Sequence, residues 1–252
     1  MTAGEATVEA TTTEQRRAAL EAIAAEVRVC SRCKLAQTRT RAVPGEGHPD
    51  TEVLFVGEGP GQTEDAQGRP FVGRAGELLV RLLASIGWRR QEVFITNVVK
   101  CRPPGNRDPE PEEIAACAPY LRRQLEVLDP AVVVTLGRFS MAHFRPGERI
   151  TQIHGTHAAA PESTGARDAL AYALFHPAAA LRSTEVERQS YDDIAGLPGV
   201  LTEARARRAN LRGVSGETGA TATESDASAI APELLAAEPP APELGDDAPT
   251  LF

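Results

Sequence analysis

Four short apolar runs, at positions 53–56, 93–98, 132–136 and 170–175, punctuate a chain that is otherwise mixed in character. They are rich in Val, Ile, Leu and Phe, and they give way to Gly, Lys or His-Pro segments, which is how parallel strands buried on both faces end at site loops. Between them the apolar residues return at helical spacing. Leu20, Ile23, Ala24 and Val27 predict a helix from about 14 to 29, and further helices are expected at about 75–86, 111–128 and 185–194. Strand and helix thus alternate, which argues for an α/β fold with a parallel sheet. Residues 1–14 read as a disordered leader and 15–205 as a single domain. Residues 206–252, where periodicity stops and Ala, Pro, Glu, Thr and Ser accumulate, read as a disordered tail.

Charge separates that tail from the body. The chain carries 27 Lys plus Arg against 35 Asp plus Glu, a net charge of −8, yet residues 213–252 contain eight acidic and no basic residues. The first 212 residues are therefore balanced, and charge alone decides nothing about phosphate binding. Lys34 and Lys100 are the only lysines beside 25 arginines, which reads as a compositional bias. No apolar run approaches a membrane span, and the opening residues are acidic and polar where a signal peptide would be basic and then apolar, so a cytoplasmic protein is expected. In a reducing compartment the four cysteines are expected to be metal ligands or core residues in place of disulfides.

The chemistry collects where the strands end, as sites in open α/β sheets do. After the first strand comes GEGPGQTEDAQGRPFVGRAG, residues 57–76. Its glycines, Gly57 and Gly59 among them, let backbone approach a ligand closely, Glu58 is placed to face a pocket, and Phe71 could stack on a planar group. Ordinary turn and core roles account for each of these residues taken singly. The second strand leads into TNVVKCRPPGNRDP, residues 96–109, where Asn97 either caps a turn or presents an acceptor and two donors to the edge of a base. The last run meets HPAAALR, residues 176–182, where His176 could donate to a developing negative charge. Cys30 and Cys33 are two residues apart, Cys101 follows the second strand, and Cys117 falls in the next helix. Four thiolates converging in this way suit either Zn2+ or an iron–sulfur cluster, and spacing does not choose between them.

The order GEGPG, GRPFVGRAG, TNVVKCRPP, LGRFS and HPAAALR, with these four cysteines, resembles the family 4 uracil-DNA glycosylases over about residues 25–200. The resemblance implies a three-layer sandwich with a four-stranded parallel sheet, a 4Fe–4S cluster, and monofunctional removal of uracil from DNA. It implies that Glu58 handles the attacking water, Phe71 stacks on uracil, Asn97 reads the base, His176 faces uracil O2, and Cys30, Cys33, Cys101 and Cys117 hold the cluster. Gly57 and Gly59 fall in the uracil-binding motif. Position 59 is Gly where many relatives carry Ala, and the aspartate that family 1 enzymes use there is absent. Leu181 and Arg182 are candidates for the region that wedges into DNA. Two other classes remain in view: a covalent uracil-DNA trap, whose Arg-rich, His-containing insertion has no counterpart between Cys101 and Cys117, and a non-catalytic iron–sulfur protein. Expected partners are uracil-containing DNA, met by a nucleoid-associated monomer, and the bacterial sliding clamp, reached through the terminal Leu251 and Phe252.

Overall fold

The protein was analysed as a computed structural model describing residues 11–213. Most of the expected leader and tail, including Leu251 and Phe252, lies outside the described residues. The first helix, α1 (Thr13–Val29), opens on a capping box in which Thr12 accepts from the Gln15 N–H and Gln15 from the Thr12 N–H. There follow β1 (Glu46–Gly47), β2 (Val53–Gly57), α2 (Gln62–Gln67), α3 (Arg74–Ser85) and β3 (Phe94–Asn97). The chain continues through α4 (Pro111–Leu128), β4 (Val132–Leu136), α5 (Arg138–Phe144), α6 (Ile150–Ile153), β5 (His157–Ala159) and β6 (Leu170–Leu174). It closes with α7 (Pro177–Ala180), α8 (Thr184–Ala195) and α9 (Leu197–Leu211).

The sheet order is β1-β3-β2-β4-β6-β5. Its centre, β3-β2-β4-β6, is parallel throughout and coincides with the four apolar runs. The expected four-stranded sheet is therefore the middle of a six-stranded one, whose edges are antiparallel β1 and β5. Those edges are two and three residues long, too short to leave a periodic trace, and short edges also offer little for a stray strand to pair with.

Both faces of the sheet are covered, which is why its strands need no polar alternation. Val53, Phe55, Ile95, Val134 and Tyr172 pack with Leu79 and Leu83 of α3, Ile194 of α8 and Leu201 of α9. Leu54, Val56, Phe94 and Val133 pack on the other side with Ile23 and Val27 of α1 and Leu121 and Leu125 of α4. The three-layer sandwich follows from these two cores.

One boundary needs correction. The domain does not stop at residue 205, since α9 runs on to Leu211. Ala204 is fully buried, and Arg208 donates to the carbonyls of Asp129, Pro130 and Arg167, holding the turn between α4 and β4. An Arg-rich stretch that resembles a solvated tail is anchored by its guanidinium groups.

Candidate active site

Register brings the chemistry together. Gly57 pairs with Asn97, Val56 with Thr135 and Leu136 with Leu174, so the carboxyl ends of the four parallel strands lie side by side. Beyond them opens a cleft of about 640 Å³, bordered by Glu58, Gly59, Phe71, Asn97, His176 and Arg182. Gly57 stands behind this wall, and Leu181 turns away from it to pack half-buried against the core.

Gly57 is needed for its absent side chain. A Cβ there would come within 2.4 Å of Asn97 Oδ1 and 2.6 Å of Phe71 Cζ. Asn97 is only 1% exposed, and its Oδ1 is buried with no hydrogen-bond partner among the described residues. Such an orphan acceptor costs about 1–3 kcal/mol, a cost that a ligand N–H would remove. At Gly59 a Cβ would meet Val99 Cγ2 at 2.8 Å, so the wall is tight here as well.

Phe71 holds its ring in the cleft from a left-handed backbone, φ +48°, which L-residues other than Asn and Asp rarely adopt. Its carbonyl presses on the first turn of α3 at Gly76, where a Cβ would lie 1.9 Å from the Phe71 oxygen. Glu64 accepts from the Val72 and Gly73 N–H groups at 2.9 and 2.8 Å and so fixes the turn that leads into α3.

His176 sits at the N-cap of α7. Its Nδ1 accepts the Ala178 N–H at 3.1 Å, which puts the proton of the neutral ring on Nε2. Burial, assisted by the Arg182 charge and opposed by Glu64, pushes its pKa down to about 4, so the ring is neutral at physiological pH. Gly137, with φ +85°, lets the end of β4 pass close by, because a Cβ there would be 2.8 Å from that of His176. Glu58 is half-buried. Its carboxyl is raised above the ordinary value by burial and by the Asp108 charge, with Arg138 partly offsetting both. Asp108 and Arg138 border the cleft and pair with each other.

The four cysteines are free thiols and line one small cavity on the α1 and α4 side of the sheet. Burial pushes the Cys101 thiol up and that of Cys117 to about 11. The Arg39 guanidinium donates to Cys101 Sγ at 3.1 Å, and the Lys100 N–H to Cys117 Sγ at 3.2 Å. Among the described residues no three His, Cys, Asp or Glu side chains close up tightly enough to hold a single metal ion. Between this cavity and the cleft lies Lys100, whose buried ammonium donates to Thr96 Oγ1, the Asn97 carbonyl and Gln124 Oε1.

With that geometry established, comparison with known proteins places the chain. The profile of the uracil DNA glycosylase superfamily matches residues 44–195. A type-4 uracil-DNA glycosylase of Sulfurisphaera tokodaii is 48% identical over 69% of this chain and 81% of its own length. Those of Saccharolobus solfataricus (42%; 79% and 94%) and Thermotoga maritima (45%; 71% and 93%) are similarly related. The chain belongs to the type-4 uracil-DNA glycosylases. Within this family fold, Glu58, Gly59, Phe71, Asn97 and His176 meet at one cleft, and the four cysteines meet at a second cavity. Glu64, Asp108, Gly137, Arg138 and Lys100 were not singled out from the sequence. LGRFS at the end of the third apolar run was a usable signal for Gly137 and Arg138, whereas loop folding alone brings Asp108 and Glu64 to the cleft. No helix among the described residues is long and apolar enough to cross a membrane.

Proposed function

We propose that the protein is a monofunctional DNA glycosylase that flips uracil out of DNA and hydrolyses its N-glycosidic bond, opening base excision repair. The observation that carries this reading is the unpartnered Asn97 Oδ1, buried beside the Phe71 ring. Uracil offers N3–H to that oxygen and O4 to the amide nitrogen. Cytosine offers a lone pair at N3 and an amino group at C4, so both contacts are reversed. Extrusion of the base costs a few kcal/mol, and Arg182 at the cleft border is the residue placed to offset this through DNA contact, whereas Leu181 packs against the core.

In the reaction the bond between C1′ and N1 breaks with its electron pair moving onto uracil. His176 Nε2–H donates to O2 as that charge develops, acting as a neutral hydrogen-bond donor. Ionised Glu58 accepts from the water whose oxygen adds to C1′, and the released proton leaves through that carboxylate. Incubation with a uracil-containing oligonucleotide, followed by alkali, tests the reading. Strand scission is expected with uracil and absent with thymine or cytosine at the same position.

Cys30, Cys33, Cys101 and Cys117 suit a 4Fe–4S cluster. The donor set is all sulfur and faces one cavity, and Zn2+ on the same four thiolates is the alternative that metal analysis distinguishes. When bound, the cluster supplies a cross-link between the end of α1, the segment after β3, and α4. The reading includes action as a monomer. A clamp contact through Leu251 and Phe252 rests on the tail sequence alone, and anisotropy of a labelled tail peptide titrated with the clamp tests it.

A further inference from the structure

Phe71 is held in its uncommon backbone conformation by Glu64 on the cleft side and, on the other, by a network that lies outside the cleft lining. Arg90, in the turn before β3, donates from Nη1 to the Phe71 carbonyl at 2.9 Å and from Nη2 to the Pro70 carbonyl. The same Nη2 pairs with Glu46 of β1 at 2.9 Å. Glu46 is also gripped by Arg69 through two 2.8 Å hydrogen bonds. β1 cannot drift from β3, because it packs so closely that a Cβ at Gly47 would lie 2.1 Å from the Val93 carbonyl oxygen. The Arg90 side chain is 19% exposed, shielded enough for its planar fork to stay in one place.

We propose that Arg90, oriented by Glu46, is the positioning residue that sets the plane of the Phe71 ring, and thereby the affinity of the cleft for a flipped pyrimidine. The inference rests on the reading of the cleft as a uracil site. Its physical content is that a residue at φ +48° relaxes to extended backbone unless something over-determines it. Glu64 secures the N–H groups on the far side of the turn, at Val72 and Gly73, and Arg90 secures the carbonyls on the near side, at Pro70 and Phe71. Loss of the Arg90 fork frees Phe71 to rotate away from Gly57 and Asn97. The stacking ring interacts with the base before and during bond cleavage alike, so its misplacement weakens binding while chemistry in the bound state continues.

The test measures kcat and KM on a uracil-containing oligonucleotide, together with inhibition by free uracil. It compares Arg90→Gln and Arg90→Lys, each in the wild-type and Phe71→Leu backgrounds, with thermal unfolding followed in parallel. In the wild-type background Arg90→Gln is expected to raise KM and the uracil inhibition constant about tenfold while kcat changes less than about threefold. Arg90→Lys, which keeps the charge and the fold but cannot bridge two carbonyls and a carboxylate, is expected to fall between the two. In the Phe71→Leu background neither substitution should weaken uracil binding further, because the ring they position is gone. An equal loss in both backgrounds assigns Arg90 a general structural role and overturns the proposal, as does unchanged uracil inhibition. If the wild-type protein leaves the oligonucleotide intact, the uracil reading itself falls, a result that cannot be mistaken for failure of the Arg90 positioning role alone.

Discussion

The Phe71 ring stands 5.7 Å from the His176 imidazole, tilted by 34°, although one residue precedes α3 and the other follows β6. One presents a flat apolar surface and the other an N–H beside it, and Gly57 lets Asn97 close the third side. A planar base can thus be stacked, read along one edge and relieved of charge on another within the same small volume.

If His176 acts as a neutral donor, removing it should cost turnover without changing which base is chosen. His176→Ala is expected to lower kcat roughly 10²-fold, the scale of losing an oxyanion-type donor, with uracil still preferred over cytosine. Full activity in this variant would remove His176 from the mechanism. Its pH signature is also defined. The folded ring has a pKa of about 4 against about 6.5 when unfolded, so the unfolded chain binds the extra proton between these values. The stability contributed by the neutral ring is complete above pH 6.5 and drains away as pH falls towards 4. Chemical denaturation across that window should show a shallower loss in His176→Gln.

The unpartnered oxygen of Asn97 sets stability against function. Asn97→Ala should leave the thermal midpoint at or above that of wild type, since a buried acceptor without a partner is removed, while excision falls by at least 10²-fold. Asn97→Asp should admit cytosine, because a protonated carboxyl can donate to its N3. Cytosine release from a matched oligonucleotide, assayed by alkaline scission, is the measurement, and strict uracil selectivity in Asn97→Asp would count against the base-reading role.

Glu58 lies between two charges that act in opposite senses. Asp108 raises its pKa and Arg138 lowers it. If Glu58 must be ionised to accept from water, Asp108→Asn should move the acid limb of the kcat profile to lower pH and Arg138→Gln should move it to higher pH. Shifts in the same direction, or none in either variant, would place the rate-controlling ionisation elsewhere.

The cysteine cavity predicts a brown protein with broad visible absorption and about four irons per chain. Cys101→Ala should lose the colour and lower the unfolding midpoint, because a cluster held there would join the end of α1 to the sheet. Colourless protein with stoichiometric zinc, by metal analysis, would exclude the cluster.

The central strands were legible because burial on both faces makes them unbroken apolar runs, and 53–56 and 132–136 stand out for that reason alone. Glu46–Gly47 and His157–Ala159 were not, since a strand of two or three residues has no period to detect. In α9 the core positions Leu197, Val200, Leu201 and Ala204 do follow helical spacing, but the arginines after them mask it, and Arg208 bonding to three carbonyls is a tertiary fact. Asn97 and His176 could be found because strand ends are where α/β sheets hold ligands. Lys100 could not, as its importance lies in the buried Thr96, Asn97 and Gln124 groups that fold around it. Nor could Asp108, which reaches the cleft only through the path of the loop after Cys101.

The sheet register that aligns Gly57, Asn97, Leu136 and Leu174 also determines when in the life of the chain activity can arise. During synthesis Phe71 and Asn97 emerge first, and His176 comes last, on the far side of β4. A nascent or truncated chain ending before β6 lacks His176. On the proposed reading, uracil excision is therefore withheld until the last parallel strand has docked, so a newly made chain leaves no abasic sites in DNA before it has folded.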